Sequence, residues 1–567
     1  MSRDMRILLV CHSFNSLSQR LHVDLCQAGH EVSVELDIHD DLTREAVRLF
    51  APDLIVAPFL KRALPEDVWR KTLSLIVHPG IRGDKGPSAL DRAILRGEDR
   101  WGVTLIEARE EMDGGPVWAW REFPMRHARK SSLYRHEVTE AAVACVMEAI
   151  ARLSGGDAQP LMQANWGKGR EWSVLSAAER LIDPAQLTAE QVLTIIRASD
   201  GDPGAEMTIA GKPYKVFDAE LALDRQGPPG ELLGRSRQSV ALACREGALW
   251  IGHLREKGPR TLKLPAVHLL GQPAQDLPPV ERPDPFRYHE DGDVGFLEFG
   301  FYNGAMSTED CQAMRAAVQA AKARKRPVLV LQSGADCWSN GIHLGLIETA
   351  DSPADESWRN INAMNDLVRE IITCDDRIVI AGVLGNAGAG GVFLSLAADE
   401  VWMRDGVILN PHYKDMGNLY GSEYWTYLLP ARLGEARARR VTQARLPMGV
   451  REAMELGLAS RVLASDAGAA RAELRSAARA LAAQSDIGER IADKRMKRQR
   501  HEAQKPLAVY REEELQRMRR NFYGFDPSYH VARYNFIRKV PKSRTPATLA
   551  IHRAIGWPDR QSGGTMP

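Results

Sequence analysis

Apolar runs and helical periods alternate along the first hundred residues. Residues 6–11 (RILLVC) form an almost wholly apolar run, the polar stretch SFNSLSQR follows, and LHVDLCQAG then places Leu21, Leu25 and Ala28 on one helical face that stops at Gly29. EVSVEL at 31–36, DLIVAPF and SLIVHPG read as further strands, with DLTREAVRLF a short helix. Strands that are apolar throughout, spaced by helix-length segments, predict a parallel sheet covered on both faces. Such a sheet takes its ligands at the carboxyl ends of its strands, where His12, Phe59 and His78 fall. No GxGxxG follows the first strand, so a dinucleotide pyrophosphate has no glycine turn to lie on.

The texture changes after the helix TAEQVLTIIRA (188–198), which Thr188 caps. Short alternating stretches with Gly turns, among them QSVALACREGALWIGHLR, predict a small antiparallel sheet or barrel. The Pro-rich GQPAQDLPPVERPDPF marks a boundary near residue 286. A second α/β pattern begins at GDVGFLEF and runs through a helix starting at Ser307 or Thr308, the strand PVLVLQSG, a helix near 355–373 and DRIVIAGVLGNAGAGGVFLSLAADEVWM, reaching about residue 465. Beyond Asp466 the text is helical. Four segments are therefore expected: 1–187, 188–275, 276–465 and 466–567.

Composition narrows the class. A chain of 567 residues needs several cores, and 44% apolar with 26% charged residues is an ordinary soluble balance. A net charge of +1 gives no overall field for nucleic acid or an anionic membrane. The seven Cys are scattered without CxxC or a Cys/His metal spacing, which points to a reducing compartment, the cytoplasm, and to no metal. The apolar run at the start is too short for a signal-peptide core, and no 18 apolar residues run together. RIADKRMKRQRHEAQK could meet a phosphate-bearing partner, or be a solvated helix face with Ile491 and Met496 turned inward.

Two places carry chemistry. His78 ends an apolar strand before Pro-Gly, and Asp113 stands in EEMDGGPVW after the strand GVTLIEA. A His beside a carboxylate can be held in the tautomer that accepts a proton from a nucleophile, although a strand-end His and an Asp-Gly-Gly turn can also be purely structural. Farther on, GNAGAGGVF and CWSNGIHL are two sharp turns after strands; small residues there let backbone N–H groups approach one ligand oxygen, or merely let strand and helix pack tightly.

The residues resemble known families. PDLIVAPFLKRALPEDV, HPGIRGDKGPSALDRAI and WGVTLIEAREEMDGGPVW, then TAEQVLTIIRASDGDPGA and a small barrel, are similar over about 1–275 to the formyltransferases that use 10-formyltetrahydrofolate. The resemblance implies a Rossmann-like domain and an OB-like β-barrel, with His78 and Asp113 as the catalytic His and Asp. The family's Asn two positions before the His is absent; Ile76 stands there and can donate no hydrogen bond to a tetrahedral oxyanion. A lost oxyanion donor is worth about 2.7–4 kcal/mol, so either another donor substitutes or the acceptor is a better nucleophile than an amine, such as a thiol.

WSNGIHL and AGVLGNAGAGGVFLSLAAD, within about 288–465, resemble the enoyl-CoA hydratase/isomerase (crotonase) superfamily. The resemblance implies a coenzyme A thioester whose carbonyl is held by the amides of Asn340 and Gly390. The two hydration carboxylates are replaced by Phe393 and Tyr413, which argues against a hydratase. Glu423 in YGSEYW remains as an acid/base or a capping carboxylate, and Tyr413 as a hydrogen-bonding or a packing group.

The whole chain, including FYGFDPSYHVARYNFIRK near its end, resembles the HypX/HoxX family of hydrogenase-maturation proteins. That resemblance implies formyl transfer from 10-formyltetrahydrofolate to coenzyme A, decarbonylation of formyl-CoA to CO and CoA, and delivery of CO to a NiFe centre, with maturation proteins as partners. Thioester hydrolysis to formate and a non-catalytic scaffold are the alternatives.

Overall fold

The protein is described by a computed structural model over residues 4–157, 159–161, 170–282 and 285–553. Pro283 and Asp284 of the Pro-rich link and residues 554–567 of the expected last segment lie outside the described residues. The chain forms two compact units, one built from 1–181, 194–205 and 541–567, the other from 182–193 and 206–540.

In the first unit, six strands, β1 (Arg6–Cys11), β2 (Glu31–Leu36), β3 (Leu54–Phe59), β4 (Ser74–His78), β5 (Arg100–Glu107) and β6 (Val117–Pro124), lie in the order β2-β1-β3-β4-β5-β6. The first four are parallel, as their apolar runs predict, but β5 and β6 are antiparallel to their neighbours. A strand buried on both faces reads the same in either direction, so its apolar run carries no sign of its orientation. The first helix, Ser16–Gln27, starts inside the polar stretch because the Asn15 side chain accepts the Ser18 N–H at 3.0 Å.

Residues 545–553 return to β2, the edge strand. Leu549 C=O accepts the Val34 N–H at 3.0 Å and Thr545 Oγ1 accepts the Leu36 N–H at 2.8 Å, so residues 545–549 cover backbone groups that an open edge would expose. Beneath them Glu35 is fully buried. Burial pushes its carboxyl up, but hydrogen bonds from His552, Arg553 and Thr545 outweigh this and hold it below the usual range. Arg553 reaches Glu35 at 2.7 Å, His552 at 3.1 Å and Thr545 at 2.8 Å. Ending the chain after Val540 removes all three partners and bares the edge of β2 together with the Glu35 carboxylate, so a lowered melting temperature of this unit is expected in thermal unfolding.

The second unit holds an antiparallel sheet whose strands run Leu232–Ser236, Ser239–Ala243, Ala248–Glu256, Lys212–Leu221 and Ala205–Ile209 in spatial order, as the Gly-turn pattern predicts. It also holds a six-stranded sheet in the order Arg287–Asp291, Val294–Phe299, Val328–Ser333, Ile378–Val383, Glu400–Arg404 and Arg461–Leu463, parallel except for its first pair. The helix Thr308–Lys322 begins at a capping box of Ser307 and Asp310 and, with Pro353–Ile372, buries one face of that sheet. Ala467–Ala482 covers the other through Leu474, Ala478 and Leu481.

The basic helix Ile487–Gln504 corrects one expectation. Ile491 packs against the Leu474 cluster, but Met496 is exposed. Five residues at about 100° each turn Met496 roughly 140° away from Ile491. The inward positions are taken by long cationic side chains instead: Arg490 reaches Glu400 at 2.6 Å, Lys494 reaches Asp399 at 2.5 Å and Arg498 reaches the Tyr427 hydroxyl at 2.7 Å. Part of the basic run is thus spent on docking this helix. No described helix is long and apolar enough to cross a membrane.

Candidate active sites

The first site is built at the end of β4. His78 Nδ1 lies 3.4 Å from Asp113 Oδ2, and that oxygen also accepts the Gly86 N–H at 3.0 Å. Asp113 has φ +54°, a backbone conformation that turns its carboxylate back over the strand end. The turn after His78 is tied to β5 by Trp101 Nε1 on the Pro79 carbonyl and Thr104 Oγ1 on the Gly80 carbonyl, each at 2.9 Å. Gly80 must be glycine: a Cβ there would sit 2.2 Å from His78 Nε2. Ile76, two residues earlier on β4, is half-buried in the apolar cluster and offers no donor.

A residue missed in the sequence completes this site. Asp84 is buried, with Oδ2 3.9 Å from His78 Nε2, while its Oδ1 accepts Trp172 Nε1 at 2.7 Å. Neither His78 Nε2 nor Asp84 Oδ2 has a hydrogen-bond partner among the described residues. The imidazole thus lies between two carboxylates, with one ring nitrogen turned to each. An Asp among Gly and Lys in a short loop carries no spacing signal that would single it out.

The second site joins the two glycine-containing turns. Gly388 N–H donates to the Ser339 carbonyl at 2.9 Å, and a Cβ on Gly391 would lie 1.9 Å from that same oxygen, so only glycine allows this approach. Gly390 starts the helix Gly390–Leu396 and lies against the Glu423 carboxyl, where its Cβ would come within 2.4 Å of Oε1. The Asn340 amide faces a neighbouring turn. Its N–H donates to the Gly304 carbonyl at 2.6 Å, and its side chain donates to the Asn303 carbonyl at 2.8 Å. Asn303 and Gly304, both with positive φ, fold residues 302–304 back onto this turn and engage the Asn340 amide.

Tyr413 and Glu423 come together, both buried, with the Tyr413 hydroxyl donating to Glu423 Oε2 at 2.5 Å. Burial, aided by the Glu423 charge, pushes the phenol well above its ordinary range, so it remains a donor. Burial also lifts Glu423 to about 7, against the pull of hydrogen bonds from Tyr413 and the Ser422 N–H. Phe393 is fully buried and stacks on Tyr413 with ring centroids 5.4 Å apart, which sets an apolar wall beside the pair.

Residues 30–150 match the formyl transferase family, 175–267 the formyl transferase C-terminal domain and 302–523 the enoyl-CoA hydratase/isomerase family. The hydrogenase maturation factor HoxX of Bradyrhizobium diazoefficiens is 55% identical over 564 residues, 99% of each chain. This chain belongs to the HoxX/HypX family of hydrogenase-maturation factors. The crystal structure of HypX from Aquifex aeolicus in complex with tetrahydrofolic acid has a TM-score of 0.94 at 46% identity, covering 97% of this chain and 99% of that one. The methionyl-tRNA formyltransferase of Xylella fastidiosa strain M12 is 28% identical over 228 residues, 38% of this chain and 72% of that one. The HoxX/HypX chain is thus a fusion of a formyltransferase with a crotonase-like domain, a bifunctional enzyme of hydrogenase maturation.

Proposed function

We propose that the first half moves a formyl group from 10-formyltetrahydrofolate to the thiol of coenzyme A, and that the second splits formyl-CoA into CO and CoA. Both compounds are substrates. His78, oriented by Asp113 at 3.4 Å, accepts the thiol proton as sulfur attacks the formyl carbon. The C–N10 bond breaks as the adduct collapses, and the proton goes to the departing nitrogen of tetrahydrofolate. Deprotonation is easy for a thiol with an ordinary pKa near 8.5, which offsets the missing donor at Ile76.

In the second half the thioester oxygen takes the Gly390 N–H, and displaces the Gly304 carbonyl from the Asn340 N–H. Formyl-CoA has no α carbon, so no enolate can form. Glu423 takes the formyl proton while the C–S bond breaks, CO leaves, and the same proton passes to the thiolate to give CoA. Tyr413 holds Glu423 in place at 2.5 Å, and the buried Phe393 ring keeps water from the carbonyl, where attack would give formate.

The observation that supports this reading best is the buried Tyr413–Glu423 pair beside Gly390, standing where hydration carboxylates are lacking. In the proposed reading the CO goes to the NiFe centre of a hydrogenase through maturation proteins, in the cytoplasm, where the seven free thiols stay reduced. Incubation with 10-formyltetrahydrofolate and CoA, with CO trapped on a haem protein, tests the reaction. Carbon monoxide in step with tetrahydrofolate is expected. Formate as the sole product overturns it in favour of a hydrolase, and failure to bind folate or CoA favours a scaffold.

A further inference from the structure

Glu423 and Tyr424 are consecutive non-glycine residues with φ of +61° and +58°. Two left-handed residues in a row are unfavourable for L-amino acids and persist only where surrounding groups hold them. The helix they lead into, Trp425–Leu433, has no capping side chain of its own. Its cap comes from far along the chain. Glu514, fully buried on the helix Leu507–Tyr523, accepts the Tyr424 N–H at 3.0 Å, the Thr426 N–H at 2.9 Å, the Thr426 hydroxyl at 2.6 Å and the Ser422 hydroxyl at 3.2 Å.

The same helix holds the rest of the segment. Met518 Sδ accepts the Gly421 N–H at 3.2 Å and Asn521 Oδ1 the Tyr420 N–H at 3.1 Å, so residues 514, 518 and 521, on one helical face, grip the backbone from 420 to 426. Asn365 closes the other side, accepting the Glu423 N–H and donating to Ser422 Oγ, each at 2.8 Å. We propose that Glu514 is a positioning residue for Glu423: it holds the left-handed turn that presents the Glu423 carboxyl beside Gly390.

The role rests on Glu423 acting as the proposed reading assigns, and it has an electrostatic side. Two buried carboxyls joined through Ser422 share one polar cluster, and the charge on Glu423 adds to burial in lifting Glu514 to about 7. Such a pair titrates in two coupled steps. The other groups around it are Tyr413, Cys311, Tyr424 and Arg511; Arg511 is held by Asp366 at 2.5 Å, and Arg369 bears on Tyr424.

The test supplies formyl-CoA directly to the full-length protein. In Glu514→Gln, kcat for CO release is expected to fall about 10- to 100-fold with KM within about twofold, because the carboxyl is misplaced and not the substrate. Thr426→Val, which deletes one of the four donors, is a milder variant for use if Glu514→Gln does not fold, and should fall in the same direction. Tyr523→Phe, on the same helix but bonded to Asp355 at an exposed position, should match wild type. Infrared titration of the protonated-carboxyl stretch gives an activity-independent readout: two coupled steps in wild type, and one step at lower pH than the second of these in Glu514→Gln. Wild-type kcat and pH profile in a folded Glu514→Gln overturn the proposal, as does a Glu423 carboxyl signal that ignores the substitution. If wild type releases no CO from formyl-CoA, the proposed reaction falls and the infrared titration alone decides the role of Glu514.

Discussion

Glu423→Gln is expected to stop CO release while formyl-CoA accumulates. The amide cannot take the formyl proton, and loss of a positioned acid/base group costs about 10²- to 10⁴-fold, so CO should drop to the limit of haem trapping. Gln is close to Glu in volume, so Tyr413 and Gly390 keep their neighbours and the first half-reaction has no reason to change. The pH dependence gives an independent check. Burial lifts this carboxyl to about 7, so below that pH it holds its proton and cannot accept another. CO release by wild type from supplied formyl-CoA should therefore decline as pH falls through about 7, well above where an exposed Glu would titrate. Unchanged CO output in the Gln variant removes Glu423 from the chemistry. An acid limb near the ordinary Glu value says that another group accepts the proton.

The two sites differ in how far they could be read from local text. A strand-end His and an Asp-Gly-Gly turn bring His78 and Asp113 to notice as candidates, Tyr413 and Glu423 enter through the resemblance to the crotonase superfamily, and the apolar strand leading to His78 is plain in the text. The supporting groups are not. Glu514 comes from a helix 91 positions after Glu423 in the numbering, inside charged text that reads as solvated surface, and only tertiary packing turns it to the interior. Asp84 is unmarked in its loop for the same reason. The engaged Asn340 amide depends on the positive φ of Asn303 and Gly304, and a motif match at WSNGIHL says nothing of what another turn does to its N–H. The antiparallel β5 and β6 and the return of residues 545–553 to β2 are long-range pairings, which no period of two or of 3.6 encodes.

His78→Ala is expected to abolish both products when the protein is given 10-formyltetrahydrofolate and CoA, with neither formyl-CoA nor CO rising above background. The imidazole is the group at the strand end that can accept the thiol proton, and its removal leaves Asp113 and Asp84 facing each other across the space it filled. A neutral thiol then meets two carboxylates, whose charge opposes a developing thiolate and oxyanion alike, so the loss should reach at least the 10²- to 10⁴-fold expected for a general base. The decisive arm bypasses this site. Given formyl-CoA directly, His78→Ala should release CO at the wild-type rate, because Tyr413, Glu423 and the Gly390 turn belong to the other compact unit. Failure of formyl-CoA to restore CO would mean that His78 serves the decarbonylation itself. The division of labour between the two halves would then have to be abandoned, while Glu423 could still be the group that moves the formyl proton.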